Sequence, residues 1–380
     1  MRAQPKVLLV TASFGNGHNQ VSHALKHTFE ELGIGTVEIF DLYAEAYPYW
    51  NEAAKFLYKQ SFSIGSSLYK MFFYGMDKMY STKAGKLYNK LGEKQLETII
   101  QSKQPDIIIT TFPVGTVPEW RKKSQKKFRI YTVVTDYCLH STWVHPEIDR
   151  YYVATEDVKQ KIIQSGIPAE RIYVSGIPIR KAFEAEKDSA YLLNKYQLHP
   201  DKKKLLIMAG AQGVVKDLKW IASNLLDRSD MEIIIVCGRN QKLFNQLSKL
   251  KSSYEDQLKL FGYVDDVHEL YELADVMITK PGGITLSETI AKQLPTILYK
   301  PVPGQENENS LYFCKIGASV TVRDKESIVK ETLYLLNHSN KLTEMREALY
   351  HLHRQESSQQ IVTDILQSFA NSKASSLFLA

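Results

Sequence analysis

The chain has 380 residues, a net charge of +6, and 44% apolar and 24% charged residues. That balance excludes disordered and fibrous classes, and the length suits two cores rather than one. Three cysteines, Cys138, Cys237 and Cys314, form no CxxC and are odd in number, which argues for a reducing compartment and against a zinc site. No window reaches the roughly 18 to 20 apolar residues of a membrane span, and Met1 to Lys6 leads straight into a strand-like run without a signal peptide, so a cytoplasmic protein is expected.

Short apolar runs alternate with helix-like patterns along the chain, the signature of α/β parallel sheets. The first set of predicted strands reads KVLLVTAS, TVEIFDL, DIIITTF, RIYTVVTD and RYYVAT, and the second reads KKLLIMAG, MEIIIVCG, LKLFGYV, ADVMITK and TILYKP. Two doubly wound domains follow: residues 1–182, a polar linker at 183–203, and residues 204–355. Helices are expected from about Asn337 to Phe369, with residues 356–380 a C-terminal helix and tail that packs back on the first domain.

The first predicted strand breaks into TASFGNGHNQ. Glycines there let a backbone approach a phosphate at a helix start, yet a dinucleotide fingerprint wants a third glycine where Gln20 stands, and no Gly-Lys-Ser/Thr follows to make a Walker loop. What remains is a loop shaped for close approach with a titratable group in it. His18, with a reference pKa of about 6.5, suits a general base near neutral pH. Asp136, at the end of IYTVVTD, and His140 also fall beyond strand carboxyl ends, where open α/β sheets bind ligands, and each is an alternative base.

The second domain carries ADVMITKPGGITLSETIAKQLPTILYKPVPGQENEN. A strand ends at Lys280, Pro281-Gly282-Gly283 turns the chain, and a helix is predicted to begin near Ile284 to Leu286. Free backbone N–H groups at such a start make an anion site for a diphosphate, with Thr285 and Ser287 as added donors. Glu288, expected to face outward one turn on, suits the hydroxyls of a ribose. The plainer alternative is a turn with a capped helix. Asp265-Asp266 is adjacent rather than spaced as a donor-metal motif and is read as a helix cap, so no metal is expected.

Paired Rossmann-like domains with FGNGH, TDYCLHSTW, TKPGGITLSE and PGQENEN resemble the inverting nucleotide-sugar transferases, and more narrowly the bacterial processive diacylglycerol beta-glucosyltransferases and the plant monogalactosyldiacylglycerol synthases. The resemblance implies a GT-B fold, two Rossmann-like domains facing each other across a cleft. It also implies UDP-glucose as donor, diacylglycerol and glucosyl-diacylglycerol as acceptors, and no cofactor. By position it places Gly15, Gly17 and His18 at the reacting sugar, and Pro281, Gly282, Gly283 and Thr285 at the diphosphate with Glu288 at the ribose. Gln305, Glu306 and Asn309 would meet phosphate or sugar hydroxyls. Phe261, Gly262 and Val264 would read the uracil edge by their backbone, and Gly210, Gln212, Gly213 and Arg239 would line the remaining cleft.

Twelve aromatics crowd residues 43–80, against 11% over the chain, interleaved with Lys55, Lys59, Lys70 and Lys78. Aromatics with lysines suit the headgroup level of a bilayer, with Trp50, Phe72 and Phe73 as anchors. The run WRKKSQKKFR, with Trp120, Lys122 and Lys123, adds attraction to anionic lipid. The plainer alternative is an aromatic insertion packed on its own domain. The expected protein is peripheral, on the cytoplasmic face of the membrane, and does not bind nucleic acid. Galactose transfer, a UDP-sugar epimerase and a non-catalytic UDP-sugar binder are the rivals.

Overall fold

The computed structural model describes residues 4–13, 17–46, 89–209 and 217–377. The described chain divides into two compact units. One holds the residues up to Lys181 together with those from Arg354 onward, and the other is Ala182–His353.

In the first unit, strands β1 (Val7–Thr11), β2 (Val37–Asp41), β3 (Ile107–Thr110), β4 (Arg129–Val133), β5 (Arg150–Val153) and β6 (Ile172–Val174) form one parallel sheet in the order β2-β1-β3-β4-β5-β6. Its described helices are α1 (Gly17–Glu31), α2 (Leu42–Ala46), α3 (Glu93–Lys103), α4 (Thr116–Ser124) and α5 (Glu156–Gln164). β3 is Ile-Ile-Ile-Thr, buried along its whole length, as a central parallel strand covered on both faces must be.

The second unit repeats the plan with β7 (Lys204–Met208), β8 (Glu232–Val236), β9 (Leu258–Phe261), β10 (Val276–Thr279), β11 (Thr296–Tyr299) and β12 (Ser319–Val322), in the order β12-β11-β10-β7-β8-β9. Around them run α6 (Ser189–Tyr196), α7 (Leu218–Leu226), α8 (Gln241–Lys251), α9 (Val267–Leu273), α10 (Gly283–Ala291), α11 (Gln305–Lys315), α12 (Lys325–Asn337) and α13 (Ser339–Leu352), before α14 (Ser357–Leu377) returns to the first unit. Chain order reverses between β1 and β3 in one sheet and between β7 and β10 in the other. Such switch points leave a crevice beyond the carboxyl ends of the strands.

Every predicted strand is present, and the two additional ones, β6 and β12, are both sheet edges. β6 is only Ile-Tyr-Val and β12 is Ser-Val-Thr-Val, partly exposed and too short to show the long buried apolar runs of the central strands. Tyr173 of β6 is 40% exposed.

Residues 183–203 are structured. Phe183 and Leu192 are buried there, and Glu269 of α9 receives Tyr196 Oη at 2.6 Å, Lys195 Nζ at 2.5 Å and Lys187 Nζ at 3.3 Å. Burial would raise the Glu269 pKa, but these donors outweigh it and hold it down to about 2. α14 is anchored to the first sheet by Asp364, which accepts from Arg150 at 2.5 Å and from Tyr152 Oη at 2.6 Å. The helix runs on to Leu377, through most of what reads in sequence as a tail.

Candidate active site

At the first switch point α1 opens immediately after the loop that follows β1, which puts His18 in the first helical turn, 9% exposed. Its Nδ1 lies 2.8 Å from the Thr111 carbonyl oxygen, which only accepts, so Nδ1 carries the proton. The Thr135 hydroxyl, 2.9 Å away, shares that N–H. The ring therefore presents its lone pair at Nε2, which has no partner among the described residues. Ser22, one turn further along α1, bonds the Thr111 hydroxyl at 2.8 Å and the His18 carbonyl at 3.1 Å, fixing the helix to the end of β3.

Burial lowers the His18 pKa, while the buried Asp136 carboxylate and the Thr111 carbonyl oppose that shift. An imidazole kept neutral at its lone-pair nitrogen, with a carboxylate close enough to steady the cation, is the electrostatic arrangement of a general base. Phe112 meets the ring edge-on at 4.9 Å, Trp143 lies at 6.4 Å, and Tyr43 of α2 packs edge-on against Phe112 at 5.9 Å.

His140 is arranged differently. It precedes the short turn Ser141–Trp143, and its Nδ1 accepts the Thr142 N–H at 3.3 Å and lies 2.8 Å from the Thr142 hydroxyl. The Nδ1 lone pair is spent locally, so a neutral ring carries its proton on Nε2. That makes His140 a donor, suited to orienting an acceptor hydroxyl rather than deprotonating it.

At the second switch point, Pro281-Gly282-Gly283 follows β10 and α10 begins at Gly283. The Gly282 N–H turns back to the Lys280 carbonyl at 2.9 Å and the Gly282 carbonyl takes Leu286 N–H. No side chain caps the helix, so the N–H groups of Gly283, Ile284 and Thr285 have no acceptor among the described residues. Together with the helix dipole they form an anion site. Beside it α11 also opens on a glycine, Gly304. Fully buried Asn309 donates to the Pro281 carbonyl at 3.1 Å, tying the two helix starts together.

Family models match both units: monogalactosyldiacylglycerol (MGDG) synthase over residues 18–179 and the glycosyltransferase family 28 C-terminal domain over residues 205–365. A curated relative from Bacillus mycoides, named processive diacylglycerol beta-glucosyltransferase, is 46% identical over 366 residues, 96% of this chain and 94% of its own length. The chain belongs to that glycosyltransferase family. Solved structures share the fold: MnaA of S. aureus with UDP (TM-score 0.62, 18% identity, 95% of this chain and 96% of that one) and MurG of Acinetobacter baumannii (TM-score 0.63, 14% identity, 96% and 100%). The family's inverting GT-B architecture accounts for two parallel α/β units, each with its own switch point.

Several residues stand otherwise than the sequence suggests. Glu288 does not face outward: it is 6% exposed and accepts from Tyr271 Oη at 3.2 Å, because α10 turns that face toward α9. The Ser287 hydroxyl is no phosphate donor, since it bonds the Gly283 carbonyl at 2.8 Å. Asp266 precedes α9 without a side-chain capping bond. Trp120 is not a membrane anchor: its indole is buried and stacked on Phe128 with centroids 6.2 Å apart. Neighbouring Arg121 likewise turns in, to Asp149 at 2.5 Å and the Phe128 carbonyl at 3.2 Å, because α4 lays this face on the sheet. Lys122 is exposed, and Lys123 reaches Glu93 at 2.8 Å.

Arg239 is exposed with its guanidinium over the Tyr263 ring at 5.3 Å. The carbonyls of Phe261 and Gly262 accept from Cys237 and Gly238 at 2.8 and 3.0 Å, which joins these strand ends, and Val264 is half-buried. Gly17 opens α1 and Gln305 opens α11. Gly15, Gly210, Gln212, Gly213, Trp50, Phe72 and Phe73 lie outside the described residues.

Proposed function

We propose that this chain transfers glucose from UDP-glucose to the free hydroxyl of diacylglycerol with inversion, then adds glucose to its own product to give di- and higher glucosyl-diacylglycerols. The observation that carries the chemistry is the His18 tautomer, with Nδ1–H held by the Thr111 carbonyl and the lone pair at Nε2. In one displacement Nε2 takes the acceptor hydroxyl proton, the acceptor oxygen bonds the anomeric carbon, and the bond to the β-phosphate oxygen breaks with its electron pair leaving on UDP. Asp136 steadies the resulting imidazolium. The first-turn N–H groups of α10 receive the growing charge on the diphosphate, so the reaction is proposed to run without a metal.

Kinship to diacylglycerol glucosyltransferases supports both the acceptor and glucose over galactose. A lipid acceptor also accounts for the aromatic and lysine-rich stretch at 43–80, which starts from α2 beside the aromatic wall around His18 and lies from residue 47 outside the described residues. No described helix is long and apolar enough to cross a membrane. The proposal places the enzyme as a peripheral protein on the cytoplasmic face, drawn to anionic lipid by exposed Lys122, Lys126 and Lys127.

The test is incubation with UDP-glucose or UDP-galactose and vesicles containing diacylglycerol, with the product identified by mass and anomeric linkage. Mono- and diglucosyl-diacylglycerol with β linkages are expected, with turnover unchanged by EDTA. Release of UDP without glycolipid, or a galactolipid made faster, overturns the reading.

A further inference from the structure

Lys280, the residue between β10 and the Pro-Gly-Gly turn, is a lysine in an unusual place. Its side chain is 9% exposed, and Nζ donates to the Lys300 carbonyl and stands 3.9 Å from Glu306 Oε2. Glu306 is half-buried and its Oε2 accepts the Val302 N–H at 2.9 Å. Lys300 itself is in the left-handed region at φ 48, donates its N–H to the Val322 carbonyl at 2.9 Å and sends Nζ to Asp217 at 2.6 Å. The ends of β10, β11 and β12 and the start of α7 are thus joined by one chain of charged and backbone contacts.

A buried ammonium costs desolvation free energy, and a single carboxylate 3.9 Å away with a carbonyl does not match what water supplied. Burial accordingly lowers the Lys280 pKa and raises that of Glu306. Nothing in the packing of a parallel sheet asks for a cation at that point, since a buried apolar residue there would be cheaper. An anion bound on the first turn of α10, three residues on, changes the balance.

We propose that Lys280, held by the Lys300 carbonyl and Glu306, is the positioning residue that fixes the Pro281–Gly283 turn and supplies its positive charge, so that the turn takes a nucleoside diphosphate. The inference rests on the reading of this turn as the donor diphosphate site. It also gives Glu306 Oε2 a task other than binding a sugar hydroxyl.

Calorimetric binding of UDP and of UMP to the full chain tests it, with Lys280→Met, Lys280→Arg, Glu306→Gln and the Lys280→Met/Glu306→Gln double variant, each checked for wild-type thermal unfolding. Lys280→Met should weaken UDP by about tenfold or more and UMP by less, as loss of the charge that supports a diphosphate-binding turn requires. Lys280→Arg should recover most of that loss, which a purely space-filling role would not. Glu306→Gln should weaken UDP in the wild-type background and have little further effect once Lys280 is gone. Wild-type UDP affinity in Lys280→Met, no recovery in Lys280→Arg, or additive losses overturn the inference while leaving the diphosphate site standing. A wild-type chain that does not bind UDP overturns that site and the inference with it. The conservative variants keep the test decisive if Lys280→Met fails to fold.

Discussion

The two switch points do different work with different parts of the chain. At the first, a side chain is the reagent: the His18 ring is held by one carbonyl and one hydroxyl, and its chemistry depends on which ring nitrogen bears the proton. At the second, the backbone is the reagent: the N–H groups of Gly283, Ile284 and Thr285 await an anion, and the side chains around them serve to hold the turn. A site made from a side chain is erased by one substitution, whereas a site made from backbone is damaged only by blocking it or loosening its supports.

The largest expected effect is at the side-chain site. His18→Ala should lower turnover by on the order of a hundredfold or more while UDP affinity stays near wild type. Near-normal turnover would move the base to Asp136, since His140 has spent the lone pair it would need.

Glu288→Ala should weaken UDP by roughly 1.5 to 3 kcal/mol if the carboxylate receives a ribose hydroxyl. The variant also strips Tyr271 Oη of a buried acceptor, so thermal unfolding is measured beside affinity. A loss of stability with affinity unchanged would make Glu288 a structural partner of α9.

Gly282→Ala sharpens the backbone half of the comparison. Its φ is −72, and an added Cβ would meet nothing closer than Thr285 Oγ1 at 3.9 Å, so the fold accepts alanine, with stability unchanged or up by about 0.4–1 kcal/mol. A phosphate resting on the turn would not accept it. UDP affinity should fall several-fold, and equal affinity would show that no ligand approaches here.

The smallest effect concerns protonation. Burial holds the His18 pKa below the ordinary value of about 6.5, so the neutral base persists at neutral pH and transfer declines only as pH falls through that lower value. The unfolded chain takes this proton first, so the folded state loses stability as pH drops below about 6.5. Asp136→Asn removes a charge that opposes burial, and the acid limb of the rate profile should move lower still. An upward move would remove Asp136 from the site.

Much of this was legible from residue types. Long β-branched runs marked the buried strands, and glycines followed by a histidine or by a helix marked the two approach loops. The six cations of WRKKSQKKFR read as a solvated face, whereas α4 turns Trp120 and Arg121 onto the sheet and leaves the lysines outside. Lys280 gave no signal at all, since a lysine after a strand is ordinarily exposed.

By itself the sequence determined the alternation of strands and helices, hence two doubly wound units, because hydrophobic period and turn chemistry are local properties. It also placed a histidine and a bare helix start on the loops where such folds bind ligands. Tertiary structure alone decided what those groups can do. The carbonyl that sets the His18 tautomer lies 93 residues away and the hydroxyl that shares its N–H lies 117 away. The aromatic wall of Tyr43, Phe112 and Trp143, the burial of Glu288 and the pairing of Lys280 with Glu306 arise the same way. Burial and hydrogen-bond partners belong to residues brought together by sheet order, and no local pattern records which distant segment will arrive.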